Sequence, residues 1–242
     1  MSVTSCPPKT PAKGDPGSMS ASLKLLTQLI NHCGSNTERI AGLLLQDHEL
    51  TERLLRAANP RATCKEDYVA TTVEEALQRT GLSSVLVLAM SSPLVTAIKN
   101  TFQTMLAIEL KSMSSSSLHV FEGQHIFGEV RFAGKATGFV HVRLPANAHL
   151  IIAERLLGLT PADLADTTIA DDVVGELCNM IAGNFQSNLC DAGLDCKLKT
   201  PKIDRVKDFK LRVVDGGTAE RHGFTAPEFN VFADLSVNPW SQ

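Results

Sequence analysis

Hydrophobic positions in this chain change their period part-way along. From Ser20, residues Leu23, Leu26, Leu29 and Ile30 recur at three- and four-residue spacing, which predicts a helix. Ser35-Asn36-Thr37-Glu38 reads as a capping box opening a second helix through Leu45. Asp47 starts a third, with Leu50, Leu54 and Leu55 on one face, ending before Pro60. Thr71-Thr72-Val73-Glu74 reads as another box, whose helix stops at Gly81, a residue suited to a left-handed cap. Leu82–Met90 is a short, strongly apolar helix. Ser91-Ser92-Pro93 then reads as a cap followed by Pro in the first turn of a new helix, which reaches about Leu110 and carries Leu94, Ile98, Phe102 and Leu106.

Beyond a polar connector at Ser112–Ser117 the period becomes two. Val130 and Phe132 flank Arg131, and Val140, Val142 and Leu144 alternate with His141 and Arg143, as in half-buried strands. Pro145 to Leu157 returns to a helix, and a long helix follows over about Ile169–Asp191. The tail predicts strands at Lys197–Lys199, Phe209–Val214 and Phe229–Val237. The expected fold is α+β: a small all-helical unit over 20–90, then long helices on an antiparallel sheet over 92–242, with the boundary near Ser91. Residues 1–19, rich in Pro, Lys, Ser and Gly, hold too little apolar surface to offset ordering entropy and read as a disordered tail.

Composition excludes more than it identifies. The 242 residues carry a formal net charge of −3, which gives no case for a nucleic-acid binder. No run approaches the length of a membrane span, and the N-terminus has no signal-peptide core. The six cysteines include no CxxC pair and no zinc spacing, so free thiols in a reducing cytoplasm are expected. No phosphate-cradling Gly-rich loop, GxSxG elbow or His-Asp doublet occurs. Residues 197–212 hold seven Lys or Arg against two Asp, which suits strand-edge lysines that block aggregation and also an acidic partner. Residues 160–176 hold five acids and no base, either a solvated loop or a surface steering a basic partner.

The segment from Thr168 to Phe185 is the most informative. Thr168 reads as an N-cap, and Asp171 and Asp172 favour the positive end of the helix dipole. Val174, Leu177, Cys178, Ile181, Phe185 and Leu189 form one apolar stripe. On the opposite side Asp172, Glu176, Asn179 and Gly183 fall within about 60° of each other. An amide that both donates and accepts can orient a water, and a carboxylate one turn away can hold a cation. Gly175 and Gly183 each cost about 1 kcal/mol against Ala, which a backbone closing on this face, from a partner or a neighbouring helix, would offset. On spacing alone an ordinary solvated helix face accounts for the pattern as well.

Asp172, Glu176 and Asn179 resemble the phosphatase motif of the CheC/CheX/FliY family, an Asp or Ser, three residues, Glu, two residues, Asn; Pro201 stands near the place of a Pro in that family. Gly128–Gly134 with Gly138–Val142 looks like the family's strand pair, and AHLIIAERLLG at 148–158 like its following helix. The likeness is closest to CheX, which carries one such motif; on the first helix this chain has Ala97-x-x-Asn100, lacking the acid of a second. LLLQDHELTERLLRAANP and TTVEEALQRTGLSSVLVLAM, within 20–90, resemble the N-terminal half of an HDOD domain. The resemblance implies a cytoplasmic chemotaxis or two-component protein that hydrolyses the aspartyl phosphate of a CheY-like response regulator. Asn179 would place the water, Glu176 would pair with the regulator's lysine, and Asp172 and Gly183 would contact the regulator. No cofactor of its own is implied: Mg²⁺ would sit on the regulator. No nucleic-acid or membrane partner is implied, and a homodimer is left open. The alternative is a non-catalytic module or scaffold that docks a regulator or another signalling partner.

Overall fold

The computed structural model describes residues 37–59, 69–114, 118–135, 137–159, 167–212 and 219–238. The expected tail at 1–19, the helix from Ser20, Ser35, the acids Asp163 and Asp166, and Val214 lie outside these residues. The described helices are α1 (Thr37–Leu44), α2 (His48–Ala58), α3 (Val73–Leu106), α4 (Ala148–Leu157) and α5 (Thr167–Asp191). The strands are β1 (Lys111–Ser112), β2 (Leu118–Gly134), β3 (Thr137–Pro145), β4 (Cys196–Leu198), β5 (Lys202–Arg212), β6 (Ala219–Thr225) and β7 (Asn230–Asn238). They form one antiparallel sheet in the order β1-β6-β7-β3-β2-β4, with β5 also paired to β2. The α+β reading of the sequence holds.

Local chemistry explains the helix starts. Asp47 caps α2 by accepting from the Leu50 amide at 3.0 Å. The capping box of α3 is Thr72 with Glu75, one residue later than expected: the Thr72 hydroxyl accepts from the Glu75 amide at 3.2 Å, and Glu75 Oε2 accepts from the Thr72 amide at 3.3 Å. Gly81 does interrupt the helix, with φ at 77° and ψ at 166°. The break expected at Ser91-Ser92-Pro93 does not occur. The helix passes through Pro93, and the boundary expected near Ser91 falls inside it. A proline within a helix costs about 3 kcal/mol, but Val85–Met90, Leu94, Ala97, Ile98 and Phe102 are all buried here. A helix that is apolar all round is held by its surroundings rather than by its own ladder. The segment Ser84–Leu106 is long and apolar enough to cross a membrane, yet most of it is buried inside the fold, as a core helix would be.

The inward face of the sheet carries Ile126, Val130 and Phe132 of β2, Val140, Val142 and Leu144 of β3, and Val231, Ala233, Leu235 and Val237 of β7, all buried beneath the helices. β6 was not expected. Its inward positions include Glu220 and His222, opposite Leu235 and Ala233 of β7, so its sequence does not alternate as an amphipathic strand does. Glu220 is 1% exposed and is bonded by Arg53 of α2, which also donates to the Ser91 hydroxyl of α3 at 2.7 Å. Desolvation, reinforced by the Arg53 charge, pulls the His222 pKa down to about 4 against an opposing pull from Asp234, so its imidazole is neutral near pH 7. The other sheet face carries a cross-strand polar row. Arg221 Nε meets Asp234 at 2.5 Å and His141 Nε2 meets Glu129 at 2.7 Å, a hydrogen bond that holds the Glu129 carboxyl below its ordinary pKa.

Candidate functional site

α5 is the scaffold of the site. Val174, Leu177, Cys178, Ile181, Phe185 and Leu189 are all buried, so the predicted apolar stripe is the packed one. Phe185 meets Phe132 of β2 edge-on at 5.8 Å between ring centroids. Cys178 packs so closely on β2 that a Cβ at Gly128 would lie 2.4 Å from its Sγ, and burial pushes its thiol up to about 12. That thiol is structural, not reactive.

Polar contacts pin both flanks of the helix. Toward α3, Asn184 Nδ2 donates to Thr101 Oγ1 at 2.9 Å. Toward the sheet edge, Gln186 donates to the Cys196 carbonyl, and Asp171 pairs with Arg205 of β5 at 2.5 Å. Asp171, expected to serve the helix dipole, therefore also ties α5 to β5. The Arg205 partner was not anticipated, and the run of basic residues in 197–212 was the signal available for it.

Asp172, Glu176 and Asn179 are exposed, and Gly183 is half-buried on the same side. No hydrogen bond or ion pair among the described residues engages Asp172, Glu176 or Asn179. The structure thus brings together all four predicted site residues, along the outward stripe of a helix whose other sides are fixed. An unengaged carboxylate and amide one turn apart on a rigid support can meet a cation and orient a water without first breaking internal bonds.

The glycines correct one expectation. Among the described residues no neighbouring helix closes on this face: a Cβ at Gly183 would meet nothing within 4 Å, and one at Gly175 would make only ordinary contact with Ile203 at 3.9 Å. On α3, Ala97 is buried and Asn100 is exposed, so the second motif lacks its acid in space as in sequence.

The family model described as chemotaxis phosphatase CheX matches residues 126–224, which contain this helix and most of the sheet. The model described as HDOD domain matches residues 18–122. The chain carries a CheX-like domain behind an HDOD-like segment. The HDOD match runs past Ser91 through the rest of α3 and on to residue 122, so it does not stop at the boundary expected there. Among solved structures, the chemotaxis protein CheX from Vibrio vulnificus aligns with a TM-score of 0.51 at 23% identity, over 62% of this chain and 96% of that one. A CheC-like superfamily protein from Shewanella sp. PV-4 aligns with a TM-score of 0.50 at 19% identity, over 62% and 97%. At these identities the likeness establishes the fold. No curated protein matches the chain.

Proposed function

We propose that this CheX-like domain hydrolyses the aspartyl phosphate of a CheY-like response regulator, with Glu176 and Asn179 as its working pair. The observation that carries the reading is their joint placement: exposed, unengaged, one turn apart on the outward stripe of α5. The Asn179 amide accepts from and donates to a water and holds it in line with the phosphorus. The water's oxygen bonds to phosphorus, the bond to the aspartyl oxygen breaks, and phosphate and a free carboxylate leave. Glu176 pairs with a lysine of the regulator and fixes the approach. Mg²⁺ is the regulator's, where it neutralises charge on the transferring group. Asp172 and Gly183 line the contact. Catalysis of this kind is positioning, and it asks no proton transfer of Glu176.

The test is Asn179→Ala, timed by phosphate release from a phosphorylated receiver domain. Release above the receiver's own rate should fall by about 10²-fold, the loss expected when a positioned reactant is released. The affinity and the melting curve should hold. If wild type releases no phosphate beyond the receiver's own rate yet binds it, the domain is a docking module.

A further inference from the structure

β4 and β5 form one edge of the sheet. Both pair with β2, on the side of it away from β3, and neither has a second partner among the described residues. The register fixes which way their side chains point. Leu198 stands opposite the buried Phe132, and Ile203 stands opposite Gly128, where Cys178 of α5 packs, so these two face the helices. Lys197 stands opposite Ala133, the Lys199 amide donates to the Arg131 carbonyl at 2.8 Å, and Lys202 stands opposite Glu129. These three lysines therefore lie on the sheet face turned away from α3 and α5.

Lys197, Lys199 and Lys202 stand abreast of alternate residues of β2, so their stems are based about 6.6 Å apart. All three are exposed, and no hydrogen bond or ion pair among the described residues engages their side chains. Beside them Arg131 and Glu129 neutralise each other at 2.6 Å, which leaves the exposed Asp204, opposite Phe127, against three cations. In a chain of net charge −3 the patch reverses the prevailing sign.

We infer that this edge docks an extended acidic segment of a partner protein, with carboxylates at alternate positions. An extended chain laid along β4 and β5 turns every second side chain to one face, at the same interval as the lysines. Opposite charges across such a pair of strands are favourable, and like charges are not. A second copy of this chain would bring the same lysines to the edge, so charge disfavours it. A single-stranded nucleic acid would need aromatic rings on which to stack its bases. Phe127 and Phe139, on this face, are already engaged. Phe139 stacks on His141 at 4.3 Å, Phe127 meets that imidazole edge-on at 4.9 Å, and the Arg143 guanidinium lies 5.3 Å over Phe127. Lysines that only block aggregation ask for charge but for no spacing. The inference does not depend on the function proposed above, because α5 lies across the sheet and both surfaces can be occupied together.

Two fluorescein-labelled octapeptides of one composition test the spacing. In the first Glu alternates with Thr, and in the second paired Glu alternates with paired Thr, which sets fewer carboxylates against the lysines. Fluorescence anisotropy with the full chain, at about 50 mM NaCl to limit screening, reads their affinities. The alternating peptide should bind at least about threefold tighter than the paired one. Combining Lys197→Gln, Lys199→Gln and Lys202→Gln should weaken it about tenfold, and Arg at the same three positions should keep it. If the triple Gln variant aggregates, Lys199→Glu keeps the edge charged and should still weaken the alternating peptide. Equal affinity for the two peptides shows diffuse charge and overturns the inference. So does an absence of wild-type binding to either peptide, or an affinity that none of the variants changes. Tighter binding of a single-stranded octanucleotide, lost in the triple Gln variant, assigns the lysines to nucleic acid and overturns it as well.

Discussion

Arg53, Ser91, Glu220 and His222 form a polar cluster closed on itself by its own bonds, at the wall of a cavity between α2, α3 and β6, whereas Asp172, Glu176 and Asn179 form one that is left open. In the first, a guanidinium on α2 bonds a carboxylate on β6 and a hydroxyl on α3, three elements tied by groups that water barely reaches. In the second, an acid and an amide project from a helix whose own bonds are spent on its other sides. Charge removed from water must be matched inside the protein, so the closed cluster is committed to architecture. The open cluster has no internal obligations and is available to something else.

That contrast predicts opposite responses to mutation. Glu220→Ala strands the Arg53 charge and should cost about 3–5 kcal/mol of stability, read by urea denaturation. The double change Arg53→Leu with Glu220→Leu should recover most of that loss, because it removes both charges. If Glu220→Ala unfolds at the wild-type midpoint, the cluster is not a structural tie and the comparison fails. Glu176→Lys should do the reverse. Juxtaposed with a partner lysine, it should weaken binding to a beryllofluoride-loaded receiver at least about tenfold, or 1.4 kcal/mol. Calorimetric titration reads that loss, while the thermal melt should stay within a degree or so of wild type. A large drop in melting temperature would show that the carboxylate serves the fold. The smallest effect belongs to Gly183→Ala. Its Cβ has open space around it, so stability should rise by up to about 1 kcal/mol. Docking should weaken, because the added methyl stands where the partner would approach. A variant that is more stable and binds equally well would free Gly183 from the contact.

The two clusters also differ in how far the sequence revealed them. The stripe of α5 was legible because its buried face repeats with helical period, which fixes what lies opposite. β6 was invisible for the converse reason. Glu220 and His222 point inward, so the strand lacks the alternation that marks its neighbours, and only Arg53, far away in sequence, explains them. Pro93 misled by a local rule: Ser-Ser-Pro is good grammar for a helix start, and the packing around Leu82–Leu106 overrode it. The N-terminal part of β2 was hidden because residues 112–117 read as a polar connector and the register slips between Phe121 and Gln124. The glycines of α5 suggested a backbone closing on this face, from a partner or a neighbouring helix, and among the described residues no helix does so.

The unbroken run of α3 past Gly81 fixes a phase relation between the two parts of the molecule. Ser91, which receives Arg53, and Thr101, which receives Asn184, sit on one rigid screw. Each residue added to or removed from that screw between them would turn one contact about 100° and shift it about 1.5 Å relative to the other. The joint is thus specified to a single residue in length, unlike a linker, which tolerates indels. Exchanging the N-terminal helices for another helical unit would have to preserve the count from Ser91 to Thr101, or the graft would face the sheet with the wrong side.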